Sequence, residues 1–222
     1  MSERRVALLG GLLAGLGPLS LALFTPAMPV MAANYGTTDA AVKATLSVYF
    51  AGYAGAQLVS GPLSDRYGRR PMILIFLIVY LIGTCGALLA TGIKIMLLSR
   101  AVQGIGAAAG LVMSRAIVRD VFTGDTSARV LNVSNIILGA GPAVAPAIGG
   151  AAMLVAGWRA PFVMMLLIGC VVILAASRWL IETRPPQTPA SGVFTTYLTL
   201  LRDPYFLWSA LTIAGTVGTF YA

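Results

Sequence analysis

Residues 6–33 form an unbroken stretch of 28 residues that carries no charged side chain. A helix needs about 20 predominantly apolar residues to cross the hydrocarbon core of a bilayer. The apolar part of a cleaved signal peptide has only about 7–15 residues, so this stretch is too long for one. It therefore predicts an uncleaved first membrane span.

Similar stretches fill most of the remaining chain. The 222 residues are 58% hydrophobic and 10% charged, whereas a soluble domain has roughly 25% charged residues and needs them to cover its core. The sequence thus predicts an all-α membrane protein with six spans and the start of a seventh near Tyr205. After the first span, the others cover roughly residues 44–64, 71–93, 95–114, 130–158 and 160–177.

One polar segment interrupts this pattern near the end of the chain. Pro185, Pro186 and Pro189 prevent a continuous helix there. We therefore expect a six-helix transmembrane bundle over residues 1–181 and a cytoplasmic linker over residues 182–204. Residues 205–222 would then be a truncated seventh span, the start of a second bundle.

The basic residues predict the orientation in the membrane, because Lys and Arg in short loops stay in the cytoplasm. With a cytoplasmic N-terminus, eleven arginines fall on inner segments, and only Lys43, Lys94 and Arg159 fall on outer ones. The remaining base, Arg100, lies inside a span. The net charge of +8 is then an orientation signal. Nucleic acid, which requires a continuous basic patch, is not an expected partner.

The absence of histidine narrows the possible chemistry. It excludes imidazole metal sites and nucleophiles activated by histidine, and with them most intramembrane hydrolase mechanisms. Both cysteines, Cys85 and Cys170, lie in apolar stretches, where a thiol behaves as a small hydrophobic group. We expect no enzymatic activity, no metal and no cofactor.

Residues 61–71, GPLSDRYGRRP, form a dense charge cluster between spans two and three. We expect Gly61 and Pro62 to end span two, Gly68 to allow a turn with positive φ, and Pro71 to lie in the first turn of span three. The cluster resembles the G-x-L-[AS]-D-R-x-G-R-[RK]-P loop of the major facilitator superfamily. The matching residues are Gly61, Leu63, Ser64, Asp65, Arg66, Gly68, Arg69, Arg70 and Pro71.

Further segments resemble the drug:proton antiporter branch of that superfamily, specifically its Bcr/CflA-like multidrug efflux members. Span four contains LLSRAVQGIGAAAG and span five contains GAGPAVAPAIGG. The matching residues are Arg100, Gln103, Gly104, Gly106 and Ala107 in span four and Gly141, Pro146, Gly149 and Gly150 in span five, where Ala145 replaces a glycine. The resemblance covers nearly the whole chain but only the N-terminal half of a typical member.

This resemblance implies a fold and an activity. The fold is the N-terminal six-helix bundle of the superfamily, built from two three-helix units of inverted topology, in the bacterial cytoplasmic membrane. The implied activity of the complete protein is efflux of amphipathic drugs in exchange for protons. The implied partners are the lipid bilayer, a small-molecule substrate, protons, and a missing C-terminal bundle or a second copy of the chain.

One departure from the branch concerns the coupling ion. The branch often has an aspartate where this sequence has Ala22, and no acid lies deep in any of the six spans. The acid that carries a coupling proton is therefore expected in the missing half, unless the coupling ion differs. Uptake of a small organic solute and a non-transporting membrane scaffold are the alternative functions.

Arg100 is the only charged residue well inside a span, where a charge costs about 2.5–3.5 kcal/mol on insertion scales. It lies roughly 9 Å along the helix from Lys94 and could extend to the outer interface. Alternatively, with Gln103 on the same helix face, it contacts substrate or relays protons in a central cavity. A similar row on span two either binds apolar drugs or packs against a helix; it consists of Tyr49, Tyr53 and Gln57.

The small residues of span five have two interpretations. Gly141, Ala145 and Gly149 recur every four residues and allow another helix to approach closely. Pro142 and Pro146 remove backbone donors and bend the span. Close packing accounts for the pattern, and the family resemblance adds that such a bend, followed by Gly149 and Gly150, seals an antiporter against ion leak.

The acidic residue Asp65 has no part in determining the orientation in the membrane, which depends on Lys and Arg. In alternating access, a contact between two bundles must form in one state and break in the other. We expect Asp65 and Arg69 to form such a contact together with residues at the end of span four. We call this set the cytoplasmic latch; it consists of Gly61, Asp65, Arg66, Gly68, Arg69, Arg70, Arg119 and Asp120.

Overall fold

The structure, a computed structural model, describes residues 1–184, residue 199 and residues 202–221, the last nine without their side chains. The chain divides into two compact units, Met1–Arg184 and Pro185–Ala222. Most of the predicted linker therefore lies outside the described residues. The first unit contains α1 (Glu3–Phe24), α2 (Met28–Asn34), α3 (Asp39–Tyr67), α4 (Arg69–Leu88), α5 (Ile93–Val121), α6 (Gly124–Ala156) and α7 (Ala160–Trp179), and the second contains α8 (Pro204–Tyr221).

The predicted first span consists of α1 and α2, joined by a single 3-10 turn, Thr25–Ala27. Pro26 and Pro29 interrupt the α-helical hydrogen bonds here because proline has no backbone N–H. The Thr25 hydroxyl donates to the carbonyl oxygen of Leu21 at 3.0 Å. The two helices together still form one membrane-crossing segment of 32 residues, Glu3–Asn34.

Five helical segments of the described residues are long and apolar enough to cross a membrane. They are Glu3–Asn34, Arg69–Leu88, Ile93–Val121, Gly124–Ala156 and Ala160–Trp179. α3 is as long as α5, 29 residues, but tyrosines, serines and a glutamine make it less apolar. Because α3 packs along α5 more extensively than any other pair of helices does, it completes the predicted six-span bundle.

The α3–α4 connection differs from the prediction at one point. The expectation that Gly61 and Pro62 end span two is wrong, because α3 continues through Pro62 to Tyr67. The hydroxyl groups of Ser60 and Ser64 donate to neighbouring backbone carbonyl oxygens, and such side-chain bonds help transmembrane helices tolerate proline. The predicted turn at Gly68 is confirmed, since its φ is 103°.

α5 is the central helix of the bundle and contacts α1, α3 and α4. Three of its glycines face the backbones of these neighbours, and a Cβ atom at any of them would overlap a main-chain atom. Small residues allow transmembrane helices to approach closely. This packing places the polar residues of α5 inside the bundle; the glycines are Gly104, facing Tyr49, Gly106, facing Tyr80, and Gly110, facing Leu13.

The α2–α3, α4–α5 and α6–α7 connections meet at the end of the bundle opposite the α3–α4 loop. The Tyr35 hydroxyl donates to the carbonyl oxygen of Ala90 at 3.1 Å, and its ring lies 5.3 Å from that of Trp158. Arg159 stacks on Trp158 and donates to the carbonyl oxygens of Leu88 and Ala90. The two ends of the bundle therefore differ in chemistry, with aromatic groups at one and the cytoplasmic latch at the other.

Candidate functional site

Arg69 is the centre of the cytoplasmic latch in the structure. Its Nη1 lies 2.5 Å from Asp65 Oδ1, and its Nε lies 3.0 Å from Asp120 Oδ2. Nη1 also donates to Ser64 Oγ at 2.5 Å. The guanidinium therefore joins the end of α3 to the end of α5. Both ion pairs lie within one bundle, so the latch connects helices of that bundle in this conformation.

The other predicted members of the cytoplasmic latch have different environments. Arg119 is exposed and has no ion pair among the described residues. Arg66 lies over the ring of Tyr67 at 5.3 Å, and Arg70 donates from Nη2 to the carbonyl oxygen of Ser177 at 3.0 Å. Gly61 is half-buried beside Val112. The structure thus brings Asp65, Arg69 and Asp120 together but leaves Arg119 outside the contact.

Glu182 belongs to the same network, although its position in the sequence indicated only the start of the predicted linker. Its carboxylate accepts hydrogen bonds from the backbone N–H groups of Arg69 and Arg70. Burial alone would raise the pKa of this carboxyl group, but hydrogen bonds from the backbone of Arg69, Arg184 and Arg70 outweigh it, so the pKa lies below its usual value. An acid directly after the last apolar stretch was the only available signal.

Arg100 occupies the interior of the bundle, and its side chain has no solvent exposure at all. Its guanidinium carbon lies 4.5 Å from the ring centre of Phe24 on α1 and 4.3 Å from that of Tyr49 on α3. Two aromatic rings thus hold the cation. The side chain does not extend to the outer interface, which was one of its two sequence-based interpretations.

A hydrogen-bonded chain continues from Arg100 across the bundle. Arg100 Nη1 donates to Gln103 Oε1, and Gln103 Nε2 donates to Thr84 Oγ1 at 2.9 Å. On the neighbouring turn of α4, the Tyr80 hydroxyl lies 2.8 Å from Ser20 Oγ. Together with Tyr49, whose ring contacts Arg100, we call these groups the interior polar cluster. It consists of Ser20, Tyr49, Tyr80, Thr84, Arg100 and Gln103.

The interior polar cluster contains a positive charge without a carboxylate partner. Both ion pairs among the described residues involve Arg69. In the same part of the chain, Nε and Nη2 of Arg100 have no hydrogen-bond partner. Each ring contact is worth about 2 kcal/mol when desolvated, which is comparable in total to the cost of about 2.5–3.5 kcal/mol for a charge in a membrane. The rings make the buried cation tolerable, and two of its donor groups remain available.

The polar row predicted on span two, Tyr49, Tyr53 and Gln57, lies on α3, and only part of it contacts the interior polar cluster. The rings of Tyr49 and Tyr53 are stacked with centres 6.2 Å apart, and Tyr53 is half-buried against Gly17 of α1. The Tyr49 hydroxyl donates to the carbonyl oxygen of Gly17 at 3.1 Å. Gln57 is half-buried, and its side chain has no hydrogen bond to the other described residues. Tyr49 thus belongs to the interior polar cluster, whereas Gln57 does not.

The small residues of span five lie where α6 packs on α1. Ala145 and Gly149 are buried, and a Cβ on Gly149 would lie 2.6 Å from the carbonyl oxygen of Leu23. A Cβ on Gly141 would lie 3.3 Å from the side chain of Leu19. Pro142 is half-buried and Pro146 is exposed, and the helix continues through both prolines. Among the described residues, nothing outside its own helix lies within 4 Å of the Cβ position of Gly150.

Several members of the sites carried no motif in the sequence. Ser20, Tyr80 and Thr84 were visible only as polar residues within apolar stretches, and Phe24 had no signal because a phenylalanine in a span is ordinary. Their roles follow from proximity in the folded chain. Periodicity along one helix cannot reveal contacts between α1, α3, α4 and α5.

The fold and the two polar sites define a multi-pass helical membrane protein. Residues 3–222 match the sequence model of the Major Facilitator Superfamily. Because this match covers nearly the whole chain, the chain belongs to that superfamily.

Two curated bacterial relatives agree with this assignment. The chain is 35% identical to the uncharacterized MFS-type transporter YdgK of Bacillus subtilis (strain 168), over 98% of this chain and 56% of the relative. It is 30% identical to multidrug resistance protein D of Escherichia coli (strain K12), over 92% of this chain and 52% of the relative. The chain thus spans about half the length of these relatives.

A solved structure supports the predicted fold class. The proton:xylose symporter XylE matches with a TM-score of 0.71 and 13% sequence identity, over 82% of this chain and 45% of that one. At this identity the similarity concerns the fold alone. It confirms an all-α chain with the N-terminal six-helix bundle of the major facilitator fold.

Proposed function

We propose that this chain is the N-terminal bundle of a multidrug efflux transporter of the Bcr/CflA-like branch, which exports amphipathic small molecules in exchange for protons. The proposal rests on one observation: Arg100 is a fully buried cation, and it has no carboxylate partner among the described residues. A charge at this depth in a membrane bundle is costly and marks a functional site by default. The similarity to a multidrug resistance protein supports the choice of substrate class.

The charge of Arg100 suggests how coupling works. Arginine stays protonated under all physiological conditions, and in a low-dielectric interior its field acts over several ångströms. It therefore favours the ionised form of a nearby acid, and so promotes proton release. No acid lies deep in the six spans, so we assign the proton carrier to the second bundle.

The cytoplasmic latch has a separate role in this proposal. When two bundles rock about a central site, charged contacts on one side must rearrange. The exposed Asp65 is available to leave Arg69 for a partner on the second bundle, while the more buried Asp120 holds Arg69 in place. The pair with Asp65 then biases the equilibrium between two conformations.

The proposal includes a location and a domain arrangement. The protein lies in the bacterial cytoplasmic membrane with its N-terminus in the cytoplasm, since its bases concentrate on the inner segments. Residues 1–181 form the first bundle, residues 182–204 a cytoplasmic linker, and residues 205–222 the first span of a second bundle. Two bundles of similar size require about 180 further residues, which sequencing beyond the codon for Ala222 would identify.

Efflux of a fluorescent cationic dye from cells tests this function in a version that carries both bundles. We expect dye export that stops when the proton gradient is collapsed. Replacement of Arg100 by Met should reduce export at least about tenfold but leave the thermal stability of the bundle nearly unchanged, because the ring contacts that are lost are comparable to the membrane cost of the charge that is removed.

Arg100→Lys is the matched control for charge. It keeps the positive charge but loses the planar group that stacks between two rings, so it should be less stable than Arg100→Met. Accumulation of a solute in place of export would instead identify an uptake transporter. Normal export by Arg100→Met would exclude a role for this residue in transport.

A further inference from the structure

The N-terminus of α4 has no local cap. Its N-cap residue is Gly68, which has no side chain, and the first turn contains no acidic residue. The first N–H groups of a helix have no acceptor within the helix, and a negative charge near them is stabilising. The N–H groups of Arg69 and Arg70 are therefore open to an acceptor from elsewhere in the chain.

Glu182 supplies that acceptor from beyond the end of α7. Its Oε1 accepts the N–H of Arg69 at 2.8 Å, and its Oε2 accepts the N–H of Arg70 at 3.2 Å. Gly68 leaves room for this approach, since a Cβ there would lie 2.6 Å from Oε2 of Glu182. The positive φ of Gly68 also favours glycine. The turn and the carboxylate therefore fit one another.

The residues next to Glu182 are held at the same place. Arg184 donates from Nη1 to the carbonyl oxygen of Arg66 at 2.8 Å, and its N–H donates to Glu182 Oε1 at 3.0 Å. Thr183 Oγ1 lies 3.4 Å from Asp120 Oδ2. The segment 182–184 thus contacts the ends of α3 and α5 as well as the start of α4.

We propose that Glu182 is a positioning residue that fastens the chain leaving α7 to the cytoplasmic latch. It fixes the backbone of Arg69 while Asp65 and Asp120 hold the guanidinium of the same residue. A displacement of the segment 182–184 therefore acts directly on Arg69. The role in transport rests on the proposed function, whereas the contact itself does not.

Hydrogen exchange in the purified chain tests the contact without any transport assay. Glu182→Ala should speed exchange at the amides of Arg69 and Arg70 at least about tenfold, the ratio expected for losing one hydrogen bond to a charged group. Glu3→Gln is the control, because Glu3 is an exposed acid in the first turn of α1 with no ion pair among the described residues. Unchanged exchange in Glu182→Ala would overturn the proposal. If Glu182→Ala fails to insert into the membrane, Glu182→Gln replaces it in the same test. Because this variant keeps the size and one acceptor oxygen, it should increase the exchange rate at the amides of Arg69 and Arg70 by a smaller factor, and unchanged exchange would again overturn the proposal.

Gly68→Ala provides an independent perturbation of the same contact. It should also speed exchange at Arg69 and Arg70, since the added Cβ displaces the carboxylate. In a Glu182→Ala background the same substitution should have a smaller effect, because no carboxylate remains to be displaced. Strictly additive effects would mean that Gly68 and Glu182 act separately, against the proposal.

Efflux kinetics of the two-bundle version test the positioning role. Glu182→Gln should lower the turnover several-fold without changing the half-saturating dye concentration, and Glu182→Asp should restore part of the loss. Normal turnover in Glu182→Gln, in a parent that exports dye, would overturn the positioning role. Absence of export by the parent would refute the proposed function, while the exchange experiment would still decide whether Glu182 holds Arg69.

Discussion

At the scale of single residues, burial separates the two acids that pair with Arg69. The side chain of Asp65 is 64% exposed, whereas that of Asp120 is 12% exposed. An exposed ion pair is worth under about 1 kcal/mol, because water screens it. A partly buried cation that loses its less exposed partner costs more. The same guanidinium therefore takes part in one weak and one strong interaction.

This difference predicts distinct effects for two matched substitutions. Asp65→Asn should change the free energy of unfolding by less than about 1 kcal/mol and still slow efflux in the two-bundle version. Asp120→Asn should lower the free energy of unfolding by about 1–3 kcal/mol. Unfolding in detergent and dye efflux are the measurements, with Asp125→Asn, an exposed acid in the first turn of α6, as the control.

Normal efflux in Asp65→Asn would contradict the cytoplasmic latch. Equal destabilisation by both substitutions would contradict the argument from burial.

At the scale of helices, the glycines of α5 allow the neighbouring helices to pack closely against it. Gly106 faces the backbone of α4 so closely that a Cβ would lie 2.7 Å from the carbonyl oxygen of Phe76. A main-chain atom cannot move away as a flexible side chain can, so the two helices would have to separate. Among the described residues, nothing outside the backbone of its own helix lies within 4 Å of the Cβ position of Gly139 on α6. Glycines with the same helical conformation thus differ in what surrounds them.

The same change at these two glycines should have opposite effects. Gly106→Ala should lower the stability of the bundle by about 1–3 kcal/mol, the usual cost of overpacking. Gly139→Ala should raise it by about 0.5–1 kcal/mol, since alanine favours the interior of a helix. Thermal unfolding of the purified chain measures both. A stabilising Gly106→Ala would contradict the close α4–α5 packing.

At the scale of the whole molecule, the bundle has two chemically different ends. The α4–α5 connection lies at the end with Tyr35, Trp158 and Arg159, and the α5–α6 connection lies at the end with the cytoplasmic latch. Thr91 and Thr123 are exposed residues of these two connections. They provide a matched pair for determining the orientation.

Cysteine labelling in intact cells should distinguish the two ends. After replacement of Cys85 and Cys170 by alanine, a membrane-impermeant maleimide should label Thr91→Cys in intact cells. It should label Thr123→Cys only after the cells are permeabilised, because Lys and Arg in short loops favour the cytoplasmic side. The reverse pattern would mean that the predicted orientation is wrong.

Local properties of the sequence determined the class of the protein, the number of membrane spans in the bundle and the turn at Gly68. The first two depend on the transfer of nearby side chains into the membrane, and the turn depends on the backbone preference of one residue. None of the three depends on contacts between distant parts of the chain. The charge of Arg100 inside a span was visible for the same reason. Such features can be read from the chain before it folds.

The contact of Asp65 and Arg69 with the end of span four was expected from the sequence, whereas tertiary structure alone decided the other contacts of the polar groups. The path of α3 through Pro62, the rings around Arg100, the absence of Arg119 from the ion pairs and the contact of Glu182 with α4 were not predicted. Glu182 lies 113 residues from Arg69 in the chain, and Phe24, Tyr49 and Arg100 come from three helices. Their contacts depend on how closely the helices pack, which the glycines of α5 permit and only the assembled bundle establishes.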